Sequence, residues 1–244
     1  MDISRYLESA KRLFAEPAVQ SNSHPYYPIG LQLPGYQPLV IPFDQILGAF
    51  FGTAGLLLIV VWALSGKSKH LSFGERLVLS WFVLTGLIHF VVEGAVVLRS
   101  DFYKSTSGNI LFEIWKEYAK ADSRYATRDS FVISMEAFTA FVEGPLCFVI
   151  VYGIIRQKSW RYTLQLLVSF GQLYGDVLYF ATTYLEGLVH SRPEWLYFWF
   201  YFVFVNSIWV VIPAIVIIVS ARKISASITL ADRTSRAMEK VKAQ

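Results

Sequence analysis

Across 244 residues the chain is 55% hydrophobic and 16% aromatic, with a mean hydropathy of +0.44, more apolar than soluble domains usually are. Its net charge of +4 comes mostly from the C-terminal tail, which gives nucleic-acid binding little support. The one cysteine, Cys147, lies in an apolar run without a partner, which excludes an intramolecular disulfide framework and a cysteine-based zinc site.

In chain order, residues 1–44 form a charged and then proline-rich N-terminal segment with no visible secretory signal. Met1 to Pro17 sets Tyr6, Leu7, Leu13 and Phe14 among charges and reads as an amphipathic segment on the membrane surface. Prolines at 25, 28, 34, 38 and 42 disfavour helix and predict an extended strap. Five apolar runs follow, at 46–64, 77–98, 131–155, 162–185 and 195–220. They exceed ordinary strands and lack the alternation of a membrane barrel; backbone in lipid must satisfy its own hydrogen bonds, so the runs are predicted to be helices. The expected fold is an all-α polytopic membrane protein, a five-transmembrane-helix bundle over 45–220 with a basic tail at 221–244. Trp195, Tyr197, Trp199 and Tyr201 resemble an interfacial aromatic belt.

Lys67, Lys69 and Arg76 flank the first connection, Arg156, Lys158 and Arg161 the third, and Arg222 and Lys223 begin the tail. With five spans these regions share one side, and their basic density makes it the cytosolic one. The terminal KVKAQ resembles a dilysine address for retrieval to the endoplasmic reticulum. Between spans two and three, residues 99–130 are too long for a plain connector. Ile114, Trp115, Tyr118 and Ala119 there form one apolar stripe, which predicts an interfacial helix covering one end of the bundle.

Costly polar residues inside the spans mark the candidate site. The run LVLSWFVLTGLIHFVVEGAVVL, roughly 33 Å long as a helix, carries His89 and Glu93 four residues apart on one face. Glu136, Thr139 and Glu143 line one face of span three, Gln165, Gln172 and Asp176 one face of span four, and Asn206 and Trp209 one face of span five. Polar stripes on four spans predict an internal cavity. Gln165 and Gln172 are read as helix-association residues, and Glu143, near a membrane face, is left between reaching the headgroups and a role in the site. Asp176 is counted with the substrate-binding set, a structural ion pair or hydrogen bond being its alternative. Pro213 cannot donate to the carbonyl of Trp209, so a bend is expected there.

Carboxyl groups in apolar surroundings hold or deliver protons, and an imidazole can relay them. No Walker, dinucleotide, HExxH or GxSxG motif is present, and a lone buried histidine makes a metal site improbable. Proton transfer on a lipid-soluble substrate remains, with the face of Trp209 available to a carbocation.

HFVVEG at 89–94, IWKEYAKADSRY at 114–125, SMEAFTA at 134–140, GQLYGDVLYF at 171–180 and YFWFYFVFVNSIWVVIP at 197–213 resemble the emopamil-binding protein family, and HPYYP at 24–28 is similar as well. The resemblance implies a sterol Δ8 to Δ7 isomerase of the endoplasmic reticulum, with five helices, a polar-lined sterol cavity and no cofactor or metal. It carries the catalytic acid and base groups onto His89, Glu93 and Glu136, and puts Thr139, Asn206 and Trp209 in the sterol pocket, with Tyr118, Asp122 and Tyr125 in its cover. Two departures stand out: Ala121 in place of Gly, and Glu143 in place of an apolar or aromatic residue. The expected partners are a Δ8 sterol, cationic amphiphilic inhibitors and membrane lipid, with homodimerisation left open. The competing expectations are a non-enzymatic sterol or cationic-amphiphile binder and a sterol epoxide hydrolase subunit.

Overall fold

In the computed structural model, which describes residues 24–242, every regular element is helical. The proposed surface segment Met1 to Pro17 lies outside the described residues, as do the last two residues of KVKAQ. In order come α1 (Phe43–Ser65), α2 (Phe73–Leu98), a 3-10 turn (Phe102–Lys104), α3 (Ile110–Tyr118), α4 (Arg124–Thr127), α5 (Ser130–Ile155), α6 (Arg161–Leu185) and α7 (Leu196–Lys242). Four of these, α1, α2, α5 and α7, are long and apolar enough to cross a membrane. The 25-residue α6 falls short on composition, because Gln165, Gln172 and Asp176 are buried along one of its faces.

Local chemistry starts the helices where the chain turns. Ser72 opens α2 with a capping box, its hydroxyl accepting from the Glu75 amide at 3.3 Å while Glu75 accepts from the Ser72 amide at 3.0 Å. Asp129 caps α5 by accepting from the Val132 amide. At the far end of α2 the Arg128 guanidinium donates to the carbonyls of Val96 and Val97, groups that a helix end leaves without partners. The outward face of α1, with Phe51, Leu56, Ile59 and Leu64, is exposed and apolar, as a lipid-facing helix requires.

Helices α2 and α5 cross at two glycines. A Cβ on Gly86 would stand 2.8 Å from the Cβ of Cys147, and one on Gly144 would stand 3.1 Å from the backbone nitrogen of Phe90. Small residues thus allow the backbones to approach closely, as in other membrane helix pairs. Arg161, at the start of α6, pairs with Glu75 near the start of α2, while His190, just beyond α6, meets Ser123 beside α4. Its two ends therefore lie at opposite ends of the bundle. Gln165 accepts from the Ser220 hydroxyl of α7 at 3.2 Å, the association role expected of it. Helix α7 continues through Pro213 to Lys242, and its last turns are exposed.

Residues 24–42 form no helix and lie as a strap against α3. Glu113 accepts from the Val40 and Ile41 amides at 2.6 and 3.2 Å, and Lys116 donates to the Pro38 and Ser105 carbonyls. Glu113 and Lys116 are fully buried and paired with each other at 2.8 Å. Buried charges survive only with such partners. The cover over this end is therefore pinned by ions as well as by the apolar Trp115 and Ala119.

Candidate functional site

Beneath α3 and α4 lies a cavity of about 600 Å³, walled by side chains from all seven helices, a size ordinary for small-molecule sites. Its lining is mainly apolar and aromatic, with a few polar groups projecting inward, where the sequence pattern predicted a polar-lined space. His89 and Glu93 stand together on α2, with Nδ1 2.8 and 2.7 Å from the two carboxyl oxygens. On the other side of the ring, Nε2 lies 3.0 Å from the Thr85 hydroxyl and 2.9 Å from the Gln172 amide nitrogen. Trp209 donates its indole N–H to the same Thr85 hydroxyl at 3.1 Å, with its ring centroid 6.3 Å from that of His89. Gln172, read from sequence as a helix-association residue, is thus in direct contact with His89.

From α5, the Thr139 hydroxyl donates to Glu93 at 2.5 Å and lies 3.0 Å from the Glu136 carbonyl. Glu136 itself accepts from the Tyr125 hydroxyl at 2.6 Å through Oε1, while its Oε2 is buried without a partner. Tyr125 comes from α4 and packs at a tilt of 36° against Trp115, with centroids 4.7 Å apart. Burial pushes the hydroxyls of Tyr118 and Tyr125 well above the usual tyrosine range, so both remain proton donors through neutral pH. Tyr118 meets Asn206, whose amide nitrogen also donates to the Phe202 carbonyl at 2.7 Å. Asn206 therefore orients the cover and its own helix; none of its bonds reaches a carboxyl group.

Three π-helical segments frame these groups: Ile88–Glu93 in α2, Thr139–Glu143 in α5 and Leu196–Val205 immediately before Asn206 in α7. A π turn widens the helix and shifts the register of everything beyond it, and such turns are frequent at functional sites. The Val92 carbonyl, inside the first of them, accepts from the Trp115 indole at 2.7 Å, tying the cover to the site.

Glu143 and Asp122 differ in where their carboxyl groups point. Glu143 is buried in the cavity wall beside Gly171, with Oε2 unpartnered among the described residues. Its Oε1 lies 2.1 Å from where a Cβ of residue 171 would stand, so glycine there is what admits it. Asp122 is fully buried away from the cavity and grips Arg124, which also donates to Thr182 of α6 at 2.8 Å. Burial alone would pull the Arg124 guanidinium down, yet the bonds and charge of Asp122 hold it above its ordinary value. Asp176 lines the cavity and, among the described residues, has no partner for Oδ2 and no ion pair. Among the described residues no group of three or more His, Cys, Asp or Glu is placed to hold a metal ion.

The sequence profile of the EXPERA (EXPanded EBP superfamily) family matches residues 110–220, from α3 into α7. A probable 3-beta-hydroxysteroid-Delta(8),Delta(7)-isomerase of Oryza sativa subsp. japonica is 42% identical over 205 residues, 84% of this chain and 93% of the relative. The 3-beta-hydroxysteroid-Delta(8),Delta(7)-isomerase of Mus musculus is 42% identical over 212 residues, 86% of this chain and 92% of that protein. The chain belongs to the EBP family. An isomeliandiol synthase of Melia azedarach is also similar, at 39% identity over 206 residues, 80% of this chain and 95% of that protein. Within this EBP-family chain the matched stretch contains Glu136, Thr139, Asn206 and Trp209, while His89 and Glu93 precede it and reach the same site through the glycine crossing of α2 and α5.

Proposed function

We propose that this chain is a cofactor-independent sterol Δ8 to Δ7 isomerase, in which catalytic protons pass between Glu136 and the Glu93–His89 pair. The observation that carries this reading is the division of labour at Glu136, a residue of the cavity wall, where Tyr125 occupies one carboxyl oxygen and the other has no partner among the described residues. A protonated Glu136 gives its proton to C9 of the ring alkene, the π electrons forming the new C–H bond and leaving a tertiary cation at C8. The C7–H electrons then close the C7=C8 bond as the Glu93–His89 pair accepts that proton. Thr139, bonded to Glu93 and beside the Glu136 backbone, lies between the two groups and suits the return of the proton that resets the site. Trp209 presents its ring to the cavity, where a π face lowers the energy of a passing cation.

The names of the rice and mouse relatives and the size of the cavity support the sterol as substrate. Cationic amphiphiles that imitate the C8 cation are expected to inhibit. In this reading α6 is a fifth membrane crossing in a 45–220 domain, the protein resides in the endoplasmic reticulum, and the tail is cytosolic. Asp176 and the Tyr118–Asn206 pair contact the substrate.

The deciding experiment supplies a Δ8 sterol to the protein expressed in a strain lacking its own isomerase, in heavy water. A Δ7 product carrying deuterium at C9 is expected; binding without product would make the protein a sterol binder, and a hydrated diol from a sterol epoxide would make it a hydrolase component. Glu136→Gln should cut turnover by about 10²–10⁴-fold or more, the worth of a positioned proton donor, while sterol binding persists. Near-normal turnover in that variant would refute the assignment.

A further inference from the structure

Tyr201 and Glu117 carry polar atoms for which the acid–base chemistry has no use. The Tyr201 hydroxyl is buried with no hydrogen-bond partner, and so is Oε1 of Glu117. Both residues line the cavity. The other carboxyl oxygen of Glu117 is held by Lys120 at 2.5 Å, and Lys120 in turn lies 5.6 Å over the ring of Tyr197, which packs edge-on against Tyr201 with centroids 5.8 Å apart. This chain of contacts links Glu117 on α3 to Tyr201 on α7 along the covered end of the cavity. Buried polar groups are rarely left unsatisfied, and two of them on residues that line one cavity are most economically explained by a ligand.

We propose that Glu117 and Tyr201 form a subsite for a free hydroxyl group on the first ring of the substrate, an assignment that rests on the isomerase reading of the cavity. The two groups are complementary to an alcohol in particular. The Glu117 carboxyl oxygen left over from the Lys120 contact can accept, while the tyrosine O–H can donate. An alcohol does both at once; a ketone or ether lacks the proton for Glu117.

The axial order of the site agrees. Along α7, Tyr201 lies nearest the cover, Asn206 about 7 Å deeper and Trp209 about 12 Å deeper, at 1.5 Å per residue. On α5, Glu136 likewise comes between the covered end and Glu143. A ring hydroxyl held at Tyr201 leaves the next fused rings beside Glu136 and Glu93. A sterol in a bilayer also keeps its hydroxyl at the headgroup level, so it enters this end without inverting.

The test compares a 3β-hydroxy Δ8 sterol with its 3-deoxy analogue on purified full-length protein. Tyr201→Phe removes a hydroxyl that no protein group uses, so folding does not depend on it. It should raise KM for the hydroxy sterol about tenfold, the loss of one hydrogen bond to a buried partner, with kcat little altered and the deoxy analogue unaffected. Glu117→Gln should act in the same direction. An equal effect on both sterols, or none on either, would overturn the proposal, as would loss of discrimination in Glu143→Gln instead of Tyr201→Phe. Should the wild-type protein make no Δ7 product, the isomerase reading fails on its own; equilibrium binding of the same two sterols would still show whether Tyr201→Phe weakens only the hydroxylated one.

Discussion

His89 is gripped at both ring nitrogens, by Glu93 on one side and by Thr85 and Gln172 on the other. The Gln172 side chain can serve either protonation state, because its amide N–H suits an unprotonated Nε2 and its carbonyl, presently unpartnered, suits a protonated one. Gln172→Leu should therefore lower kcat roughly tenfold at similar KM, about the worth of one hydrogen bond; a change confined to KM would show that Gln172 serves only to pack. Gly171→Ala gives a sharper contrast between stability and function. The new Cβ meets only the mobile end of Glu143, and alanine suits a helix interior better than glycine by about 0.5–1 kcal/mol, so thermal stability in detergent should hold or rise. Turnover should change, because the displaced carboxyl must move toward the cavity. Unchanged kinetics would show that Glu143 is indifferent to the reaction.

Element by element, the sequence pattern identified the helices that matter and missed how they are wound. Hydrophobic length and the His89–Glu93 spacing are local properties, legible because four residues make about one helical turn. The π turns at Ile88–Glu93 and Thr139–Glu143 are not local in that sense: they pack against each other and against the cover, and no residue type in the chain signals them. For the same reason Gln172 read as a generic association residue and Glu143 stayed open between a headgroup contact and a role in the site, since both assignments depended on which way distant helices face. In the connection between α2 and α5, charges at Glu113, Lys116, Asp122 and Arg124 look solvated in sequence yet are buried in pairs. Asp122→Ala should consequently act on the cover and not on recognition of substrate. It leaves Arg124 with the half-exposed Glu186, 3.5 Å away, as its remaining carboxylate partner, and breaking a buried pair costs up to about 3–5 kcal/mol. A loss of thermal stability exceeding any loss of sterol affinity in the surviving folded fraction is expected; weakened binding at full stability would show that Asp122 acts on the substrate directly.

At the scale of the whole molecule, composition and connectivity disagree about α6, and connectivity is the stronger argument. Four helices are apolar enough to cross a membrane unaided. Yet α6 begins beside Glu75 at one end of the bundle and ends where His190 meets Ser123 at the other, and it packs along α7. Its polar residues are compatible with a crossing because they turn inward, Gln165 to Ser220 and Gln172 to His89 and Thr85. If α6 crosses, Ser159 and Val189 lie on opposite sides of the membrane, with Lys69 on the side of Ser159; if it does not, Ser159 and Val189 share a side. Single cysteines at these three exposed positions, labelled with a membrane-impermeant maleimide in sealed vesicles, separate the two cases, since the native Cys147 is fully buried between α2 and α5. Labelling of positions 69 and 159 from one side and 189 only from the other is the expected pattern. Joint labelling of 159 and 189 would remove α6 from the membrane and, with it, the wall that brings Gln172 and Asp176 to the cavity.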